Sequence, residues 1–505
     1  MASRVLVNYP SAAVRRRSLA VVVGVTITLY YALYVKGSVA PLIIDEFDMS
    51  LTFYVAISIT GSLLGAFGAL SGAITDRVGR SRLVLGGTLL TAVMTLVVIP
   101  RMPDKQWFLA ADVLQAAVLG AVLATMPALT RDFAPQLNRA TAMATWNLGP
   151  ILGSLLVSSV ASRTLDDHPE WQFQYAVCGT VVAAAFVVAL IGLRELSPAL
   201  RAQVVVSGVE PELVDQQSQL APHPHLAPGS WRALLTPRVV LPALGISLFL
   251  GFYFTRLGFW VIFFVTTYGF SPAQANGLSN WWWATSALTL PLVGLLSDRL
   301  GLRKPIMLLA AVGSVVVLAV FGSLASDPST SYDTFAAIVV PAAAFGVMTN
   351  AMFITAFSET IEDINPALVA TGMAIYGWIV RIVAAVVLVA VVAMVPAAST
   401  LVDHGARVAK ISAWQGDKLA ELQSEDPKVA KRAAADIPPA QLYYLGEHGA
   451  DVAAAAAEGP DQWGRWWRVC LALQVLVLPT IFLLRGPWRR RRSVEPRGEL
   501  VGAGT

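Results

Sequence analysis

Four ionisable side chains lie within long apolar stretches of this 505-residue sequence, namely Lys36, Asp112, Arg256 and Arg381. A charge at the centre of a membrane-spanning helix costs about 2.5 to 3.5 kcal/mol on insertion scales, so each of them predicts a functional site. Three of the four are cations, and a guanidinium offers a planar fork of donors that suits carboxylate or phosphate. These residue types therefore predict a binding site for a small anion.

Aromatic and amide side chains near these charges extend the predicted site. Aligning the first apolar stretch with the seventh places Lys36 opposite Leu257, one residue from Arg256, so two cations would face a central cavity. The side chains predicted to bind the solute are Lys36, Arg256, Arg381, Tyr34, Tyr253, Asn147 and Asn350. Structural roles stay open, because Lys36 could extend its ammonium towards the membrane surface and Arg381 could pair with Asp112.

Asp112 is the predicted site of proton coupling. A buried carboxylate could take up and release a proton, whereas a salt bridge to Lys36 or Arg381 would keep it ionised, and the sequence leaves both alternatives open. The histidines give no second route within the apolar stretches, because all five fall in predicted loops: His168, His223, His225, His404 and His448.

Composition predicts the elements that must position these residues. Hydrophobic residues make up 56% of the chain and charged residues 13%, about half the usual charged share of a soluble domain. The sequence therefore predicts an all-α polytopic membrane protein with twelve transmembrane helices. The predicted spans are 18–43, 51–75, 83–100, 106–130, 140–162, 172–194, 238–265, 272–296, 305–325, 334–357, 367–395 and 466–485.

The distribution of basic residues predicts the orientation. Clusters at 15–17 and 489–492 lie at the two termini, whereas the short loops on the other face carry only Arg101, Lys105 and Arg163. By the positive-inside rule both termini face the cytoplasm of a cell whose inner (plasma) membrane holds the protein. The net charge of +4 is thus explained by topology and does not predict a nucleic-acid partner.

Two polar interruptions divide the chain. Residues 195–237 predict a cytoplasmic linker between a bundle at 1–194 and a second bundle at 238–505, and residues 396–465 predict a helical insert outside the cell. Cys178 and Cys470 lie inside predicted spans, so we expect no disulfide framework and no metal site. The sequence has no nucleotide loop and no catalytic triad, which predicts a protein that is not an enzyme and needs no cofactor.

A short motif occurs twice and relates the two bundles. The stretch SGAITDRVGRSR at 71–82 recurs as VGLLSDRLGLRK at 293–304, and ATAMA at 140–144 recurs as ATGMA at 370–374. The matching positions are Gly72, Asp76, Arg77 and Gly79 in the first copy and Gly294, Asp298, Arg299 and Gly301 in the second. The bundles are therefore predicted to be pseudo-symmetric copies of six helices each.

This doubled motif on twelve spans resembles the major facilitator superfamily. The resemblance implies that the motif loops act as a conformational latch, in which Arg80 pairs with Asp132 at the foot of the fourth helix. The second copy has Leu302 at the position of Arg80, so a weaker latch is expected there.

The resemblance also implies a secondary active transporter, and the buried cations indicate a small organic anion, either an organophosphate or a carboxylate. Cations on the first and seventh helices resemble those of organophosphate:phosphate antiporters, and Arg381 resembles the eleventh-helix cation of oxalate:formate exchangers. We expect a monomer in the lipid bilayer that works by alternating access, as an exchanger or a proton symporter, with protons or phosphate as the coupling ion.

Two alternative functions fit the same sequence. The stretch LGPILGS at 148–154 is similar to the fifth-helix signature of drug:proton antiporters, which would indicate a proton-coupled exporter of hydrophobic drugs or metabolites. A Gly-Pro pair also arises from helix packing and kinking alone. A membrane sensor that binds a solute without transporting it is the other alternative.

Overall fold

A computed structural model describes residues 5–69, 79–133, 139–197, 200, 231–300, 302–364, 368–422, 424 and 426–485. Long helices dominate, because a segment in lipid must satisfy its backbone hydrogen bonds internally. The first half contains α1 (Ala12–Ser38), α2 (Leu51–Ala69), α3 (Arg80–Val93), α4 (Lys105–Phe133), α5 (Arg139–Thr164) and α6 (Trp171–Gly192). Between α1 and α2 lies a short helix, Ala40–Glu46. Helix α3 continues through a π-helical turn, Met94–Val98, and a 3-10 turn, Ile99–Arg101.

The second half repeats this arrangement. Its helices are α7 (Pro237–Phe249 and Gly251–Tyr268, interrupted at Leu250), α8 (Pro272–Leu300), α9 (Lys304–Leu324), α10 (Tyr332–Ile364), α11 (Val369–Met394) and α12 (Pro439–Val475). A short 3-10 turn, Trp231–Leu234, precedes α7, and a short helix, Val477–Ile481, follows α12. The two strands of the described chain, β1 (Val5–Leu6) and β2 (Glu195–Leu196), pair in parallel beside the first half.

The predicted all-α polytopic class is confirmed. In the described part of the chain, a helix lies in each of the twelve predicted spans. Eight helices, namely α1, α3, α4, α6, α7, α9, α10 and α11, are long and apolar enough to cross a membrane by length and composition. Leu51–Gly61 of α2 is a shorter apolar helix.

The insert between α11 and α12 is helical, as its composition predicts. Its elements are Pro396–Thr400, a π-helical turn at Leu401–Gly405, Ala406–Trp414, Gly416–Leu422 and Pro427–Asp436. The predicted start of the last span at 466 differs from the structure, because α12 already begins at Pro439. Alanine-rich, polar sequence continues the helix well before its apolar part begins, and a hydropathy window detects only the apolar part.

Glycines allow α1 and α5 to approach each other closely. A Cβ atom on Gly153 would lie 2.7 Å from the carbonyl oxygen of Ile27 and 2.6 Å from the Cβ of Tyr30. A Cβ atom on Gly149 would lie 2.6 Å from the Cγ2 of Thr26. Helix packing therefore accounts for the glycines of the 148–154 stretch without any reference to drug export.

Polar contacts join the two halves at the end of the bundle that carries residues 396–436, which we call the insert end. The side-chain amide of Asn276 donates to the carbonyl oxygen of Ser38 at 2.9 Å. The backbone N–H of Leu51 donates to Asp403 Oδ1 at 2.7 Å. Around Asn280, the hydroxyls of three α5 serines form a hydrogen-bonded cluster: Ser158, Ser159 and Ser162.

An apolar core continues this contact between the halves. It contains Val35 and Ile43 from the first half, together with Phe259, Phe263 and Trp463 from the second half. The most extensive helix contact between the halves is that of α5 with α8. The halves are therefore closed against each other at the insert end.

Candidate functional site

A cavity of about 560 Å³ lies between the two halves, and we call it the charged cavity. It is lined by α1, α2 and α4 from the first half and by α7 and α11 from the second half. Lys36, Asp112 and Arg381 are the ionisable residues among its lining side chains apart from tyrosines. Three of the four buried charges identified in the sequence thus share one space.

Lys36 and Asp112 form an ion pair across this cavity. Lys36 Nζ lies 2.7 Å from Asp112 Oδ2, and the two side chains are only 14% and 13% exposed. The ammonium also lies 5.6 Å from the ring centroid of Tyr54, within the range of a cation–π interaction. In this conformation the pair contributes no net charge to the cavity. Of the two partners that the sequence allowed for Asp112, the structure selects Lys36.

Arg381 is the cation of the charged cavity that remains without a partner. Its side chain is half-buried on α11, and within the described residues its guanidinium makes no hydrogen bond or ion pair. Tyr30 and Tyr34 line the same cavity, and their rings stack with centroids 5.8 Å apart. The charged cavity therefore presents one uncompensated positive charge beside a tyrosine pair.

Arg256 lies outside this cavity, although the sequence places it one position from the residue matching Lys36. Its side chain is 3% exposed, and the guanidinium carbon lies 4.5 Å and 4.4 Å from the ring centroids of Trp282 and Trp283. One residue on a helix turns a side chain by about 100°, so Leu257 faces the charged cavity while Arg256 faces the tryptophans. The structure does not bring Lys36 and Arg256 together.

A second cavity of about 820 Å³ lies beside α5, α7, α8 and α10, and we call it the aromatic cavity. Tyr253, Trp282, Trp283 and Asn350 are among its lining residues. Tyr253 lies close to Tyr34, which lines the charged cavity. The two tyrosines thus connect the cavities. The side chain of Asn147, the remaining predicted binding residue, lies outside the described residues.

Other residues of the charged cavity were not singled out in the sequence. Tyr54 lines it, and Gln115 does so one turn after Asp112 while donating to the carbonyl oxygen of Ala32 at 3.3 Å. Residues three or four apart share one face of a helix, so the spacings Tyr30–Tyr34 and Asp112–Gln115 carry a signal that helical periodicity could have revealed.

The ion pair of the expected latch is present in the first half. Arg80 Nη1 donates to both carboxylate oxygens of Asp132 at 3.0 Å and 2.9 Å. Gly79 precedes α3 with φ of +98°, and a Cβ atom there would lie 3.2 Å from Glu195 Oε1. Glu195 accepts from the backbone N–H of Ser81 at 2.7 Å, so a carboxylate occupies the positive end of α3. Three other latch positions, Gly72, Asp76 and Arg77, lie outside the described residues.

The second half contains a corresponding ion pair that the sequence did not lead us to expect. Arg303 pairs with Glu359 near the end of α10, as Arg80 pairs with Asp132 near the end of α4. Leu302 occupies the matching position, so the arginine one residue later supplies the charge. Of the second motif copy, Gly294 lines the aromatic cavity and Arg299 is exposed. Gly301 and the side chain of Asp298 lie outside the described residues.

Two helical bundles that enclose buried charges between them are the architecture of many secondary transporters. The family model of the Major Facilitator Superfamily matches residues 22–404. The chain therefore belongs to the Major Facilitator Superfamily, as its doubled motif predicts.

Comparisons with solved structures show the same fold. A bacterial homologue of the human lysosomal transporter Spinster, in an inward-facing and unoccupied conformation, has a TM-score of 0.63 at 14% identity over 94% of this chain and 98% of that one. A D-xylose–proton symporter has a TM-score of 0.54 at 15% identity over 75% of this chain and 97% of that one.

A similarity in sequence is shorter. A gentisate transporter of Corynebacterium glutamicum is 26% identical over 163 residues, which are 32% of this chain and 36% of that protein. The match thus spans about a third of either chain.

Closure at the insert end should depend on the protonation of Asp403. Burial raises the pKa of Asp403, nearby Asp48 adds to the rise, and the Leu51 N–H and His404 oppose it. The described conformation therefore binds this proton more tightly than one in which Asp403 faces water. The bound proton therefore stabilises the closed insert end fully below pH 3.8, the ordinary pKa of aspartate. This stabilisation is lost as the pH rises through the raised pKa of Asp403.

Asp403→Asn keeps an acceptor oxygen for Leu51 without the charge, so the variant should stay closed as the pH rises. Distances between spin labels at Gln106 and Asp327, one in each half, can be measured by pulsed electron resonance between pH 4 and pH 7. With rising pH, the mean distance between the two labels should increase in the wild type and stay constant in the variant. Parallel pH dependences in the two proteins would contradict a role for Asp403.

Proposed function

We propose that the protein is a secondary active transporter of a small organic anion, with Arg381 as the main anion-binding residue. The observation that carries this proposal is the guanidinium of Arg381, which faces the charged cavity without a hydrogen-bond or ion-pair partner among the described residues. A charge left in this state within a membrane protein is costly unless a bound group compensates it. An anion from solution supplies that compensation.

Charge balance favours a monocarboxylate over an organophosphate. While Asp112 is ionised and neutralises Lys36, the charged cavity offers one free positive charge, which matches one carboxylate and leaves a phosphate dianion half-compensated. The similarity to a gentisate transporter points the same way, since gentisate is an aromatic carboxylate. The ring of such a solute can pack against the stacked pair of Tyr30 and Tyr34.

The Lys36–Asp112 pair offers a physical basis for proton coupling. A proton on Asp112 would remove its negative charge and release Lys36, so that the cavity would then carry two free cations. Uptake of a proton would thus strengthen anion binding, and loss of the proton would restore the ion pair and weaken it. Such mutual dependence of two ligands is what a symporter needs.

Alternating access follows from the distribution of contacts. The described hydrogen bonds of Asn276, Asn280 and Asp403 join the halves at the insert end, whereas Arg80–Asp132 and Arg303–Glu359 each lie within one half. Rocking the halves would open the insert end and close the other end around the charged cavity. The basic termini support an orientation in the inner membrane with both termini in the cytoplasm.

A panel of solutes tests the transport proposal. Aromatic and aliphatic monocarboxylates, organic phosphates and cationic drugs are added to purified protein and to proteoliposomes with an imposed pH gradient. A monocarboxylate should raise the melting temperature and accumulate in the liposomes, because a ligand that binds the folded state stabilises it. Stabilisation by cationic drugs alone would favour the exporter, and binding without flux would favour the sensor.

A further inference from the structure

We propose that the aromatic cavity is a second binding site, for an uncharged aromatic compound that donates a hydrogen bond. The proposal goes beyond anion transport, because this cavity is distinct from the one lined by Lys36, Asp112 and Arg381. Its volume of about 820 Å³ lies within the range of small-molecule sites.

The lining excludes a charged ligand. Arg303 is the ionisable side chain among the lining residues apart from Tyr253, and it already pairs with Glu359. Aromatic side chains from α7 and α8 form much of the remaining surface: Phe249, Phe252, Tyr253, Trp282 and Trp283. A ring stacks favourably on such a surface, whereas a charged group would meet no unpaired charge among the lining residues.

One polar atom determines what the ligand must offer. Asn350 Oδ1 is buried and has no hydrogen-bond partner among the described residues, and Asn350 lines the cavity. A buried acceptor left unsatisfied costs about 1 to 3 kcal/mol, so a ligand that donates to it removes that penalty.

Three hydroxyl groups that line the cavity are not available for that role, because their hydrogens are already donated elsewhere. Ser286 donates to the Trp282 carbonyl at 2.8 Å, and Thr355 donates to the Ala351 carbonyl at 3.1 Å. Ser314 donates to Gln474 Oε1 at 3.2 Å. A phenol or an aromatic amine supplies the missing O–H or N–H together with the ring.

Occupancy of this site would also bias the conformation. Leu148, Pro150 and Ile151 of α5 line the cavity beside residues of the second half, so a bound compound contacts both halves. A ligand stabilises the conformation in which it makes more contacts. The compound would therefore favour the described conformation over one in which the halves close at this end of the bundle and narrow the cavity.

The experiment uses 4-fluorophenol and 4-fluoroanisole, two uncharged rings that differ in the hydrogen-bond donor. Their fluorine line widths are measured with the full-length protein in detergent, and the Gly346→Leu variant defines the background. A Cβ atom at Gly346 meets no atom within 4 Å, and Gly346 lines the cavity, so leucine should fill this space without disturbing the fold.

Wild type should bind 4-fluorophenol more tightly than 4-fluoroanisole, and Gly346→Leu should lose both. Asn350→Leu should lower the affinity for 4-fluorophenol by about two- to tenfold and leave the affinity for 4-fluoroanisole unchanged, since one neutral hydrogen bond is lost. Arg381→Ala should leave the binding of both compounds unchanged. A failure of the anion-transport proposal would therefore leave this result intact. Equal binding by wild type and Gly346→Leu would overturn the site, and loss of binding in Arg381→Ala would place the rings in the charged cavity instead.

Discussion

Replacing Arg381 with alanine is expected to lower the affinity for the transported anion by at least tenfold. A hydrogen bond to a charged partner contributes about 1.5 to 3 kcal/mol, and Arg381 is the cation of the charged cavity that has no partner among the described residues. Arg381→Lys should recover part of the loss, because an ammonium retains the charge without the planar fork of donors.

The measurement is the concentration dependence of uptake into proteoliposomes, with the ligand-induced shift in melting temperature as a second readout. Arg101→Ala is the matched control, since Arg101 is exposed and donates to the Val97 carbonyl at 2.9 Å, away from both cavities. An Arg381→Ala protein with wild-type apparent affinity would remove this residue from the site.

Replacing Asp112 with asparagine is expected to abolish accumulation driven by a pH gradient while exchange of the anion continues. Asparagine cannot take up the proton, and it leaves Lys36 permanently without its counter-charge. The anion should then bind at least as tightly as in the wild type, because two free cations face the charged cavity at every pH.

Two assays separate these effects. Uptake against a gradient under an imposed pH difference reports coupling, and counterflow between equal pH values reports exchange. Asp112→Glu serves as the control, since it preserves a titratable carboxylate at nearly the same place. Unchanged pH-driven accumulation by Asp112→Asn would assign Asp112 a structural role as the partner of Lys36.

Hydropathy and charge predicted much of this architecture, because an apolar run extends over a whole helix and a charge within such a run is costly. Apolar runs long enough to cross a bilayer predicted twelve spans, each of which contains a helix in the described residues, and the cost of a buried charge identified Lys36, Asp112 and Arg381 from the sequence alone. The start of α12 was wrong because a polar, alanine-rich helix has no hydropathy signal.

The orientation of single side chains was harder to predict. The alignment of the first and seventh helices placed Leu257 opposite Lys36, and Leu257 does line the charged cavity. Arg256 is one residue away, and a step of one residue along a helix changes the side that a side chain faces. Arg303 was overlooked for a related reason, because it stands one position after the site where the first motif copy has Arg80. Glu359 and Asp132, each near the end of its helix, carried a signal for the two pairs that a comparison of α4 with α10 could have used.

Helix α12 counts 37 residues from Pro439 to Val475, which at 1.5 Å per residue makes a rod of about 55 Å. A hydrocarbon core measures about 30 Å, so α12 is longer than one crossing requires. Its first part packs against the insert, where His404 Nδ1 lies 3.0 Å from the hydroxyl of Tyr444. A tilt of the second half would therefore move this part of α12 and the insert together, and a fluorophore at the exposed Tyr443 would report the displacement.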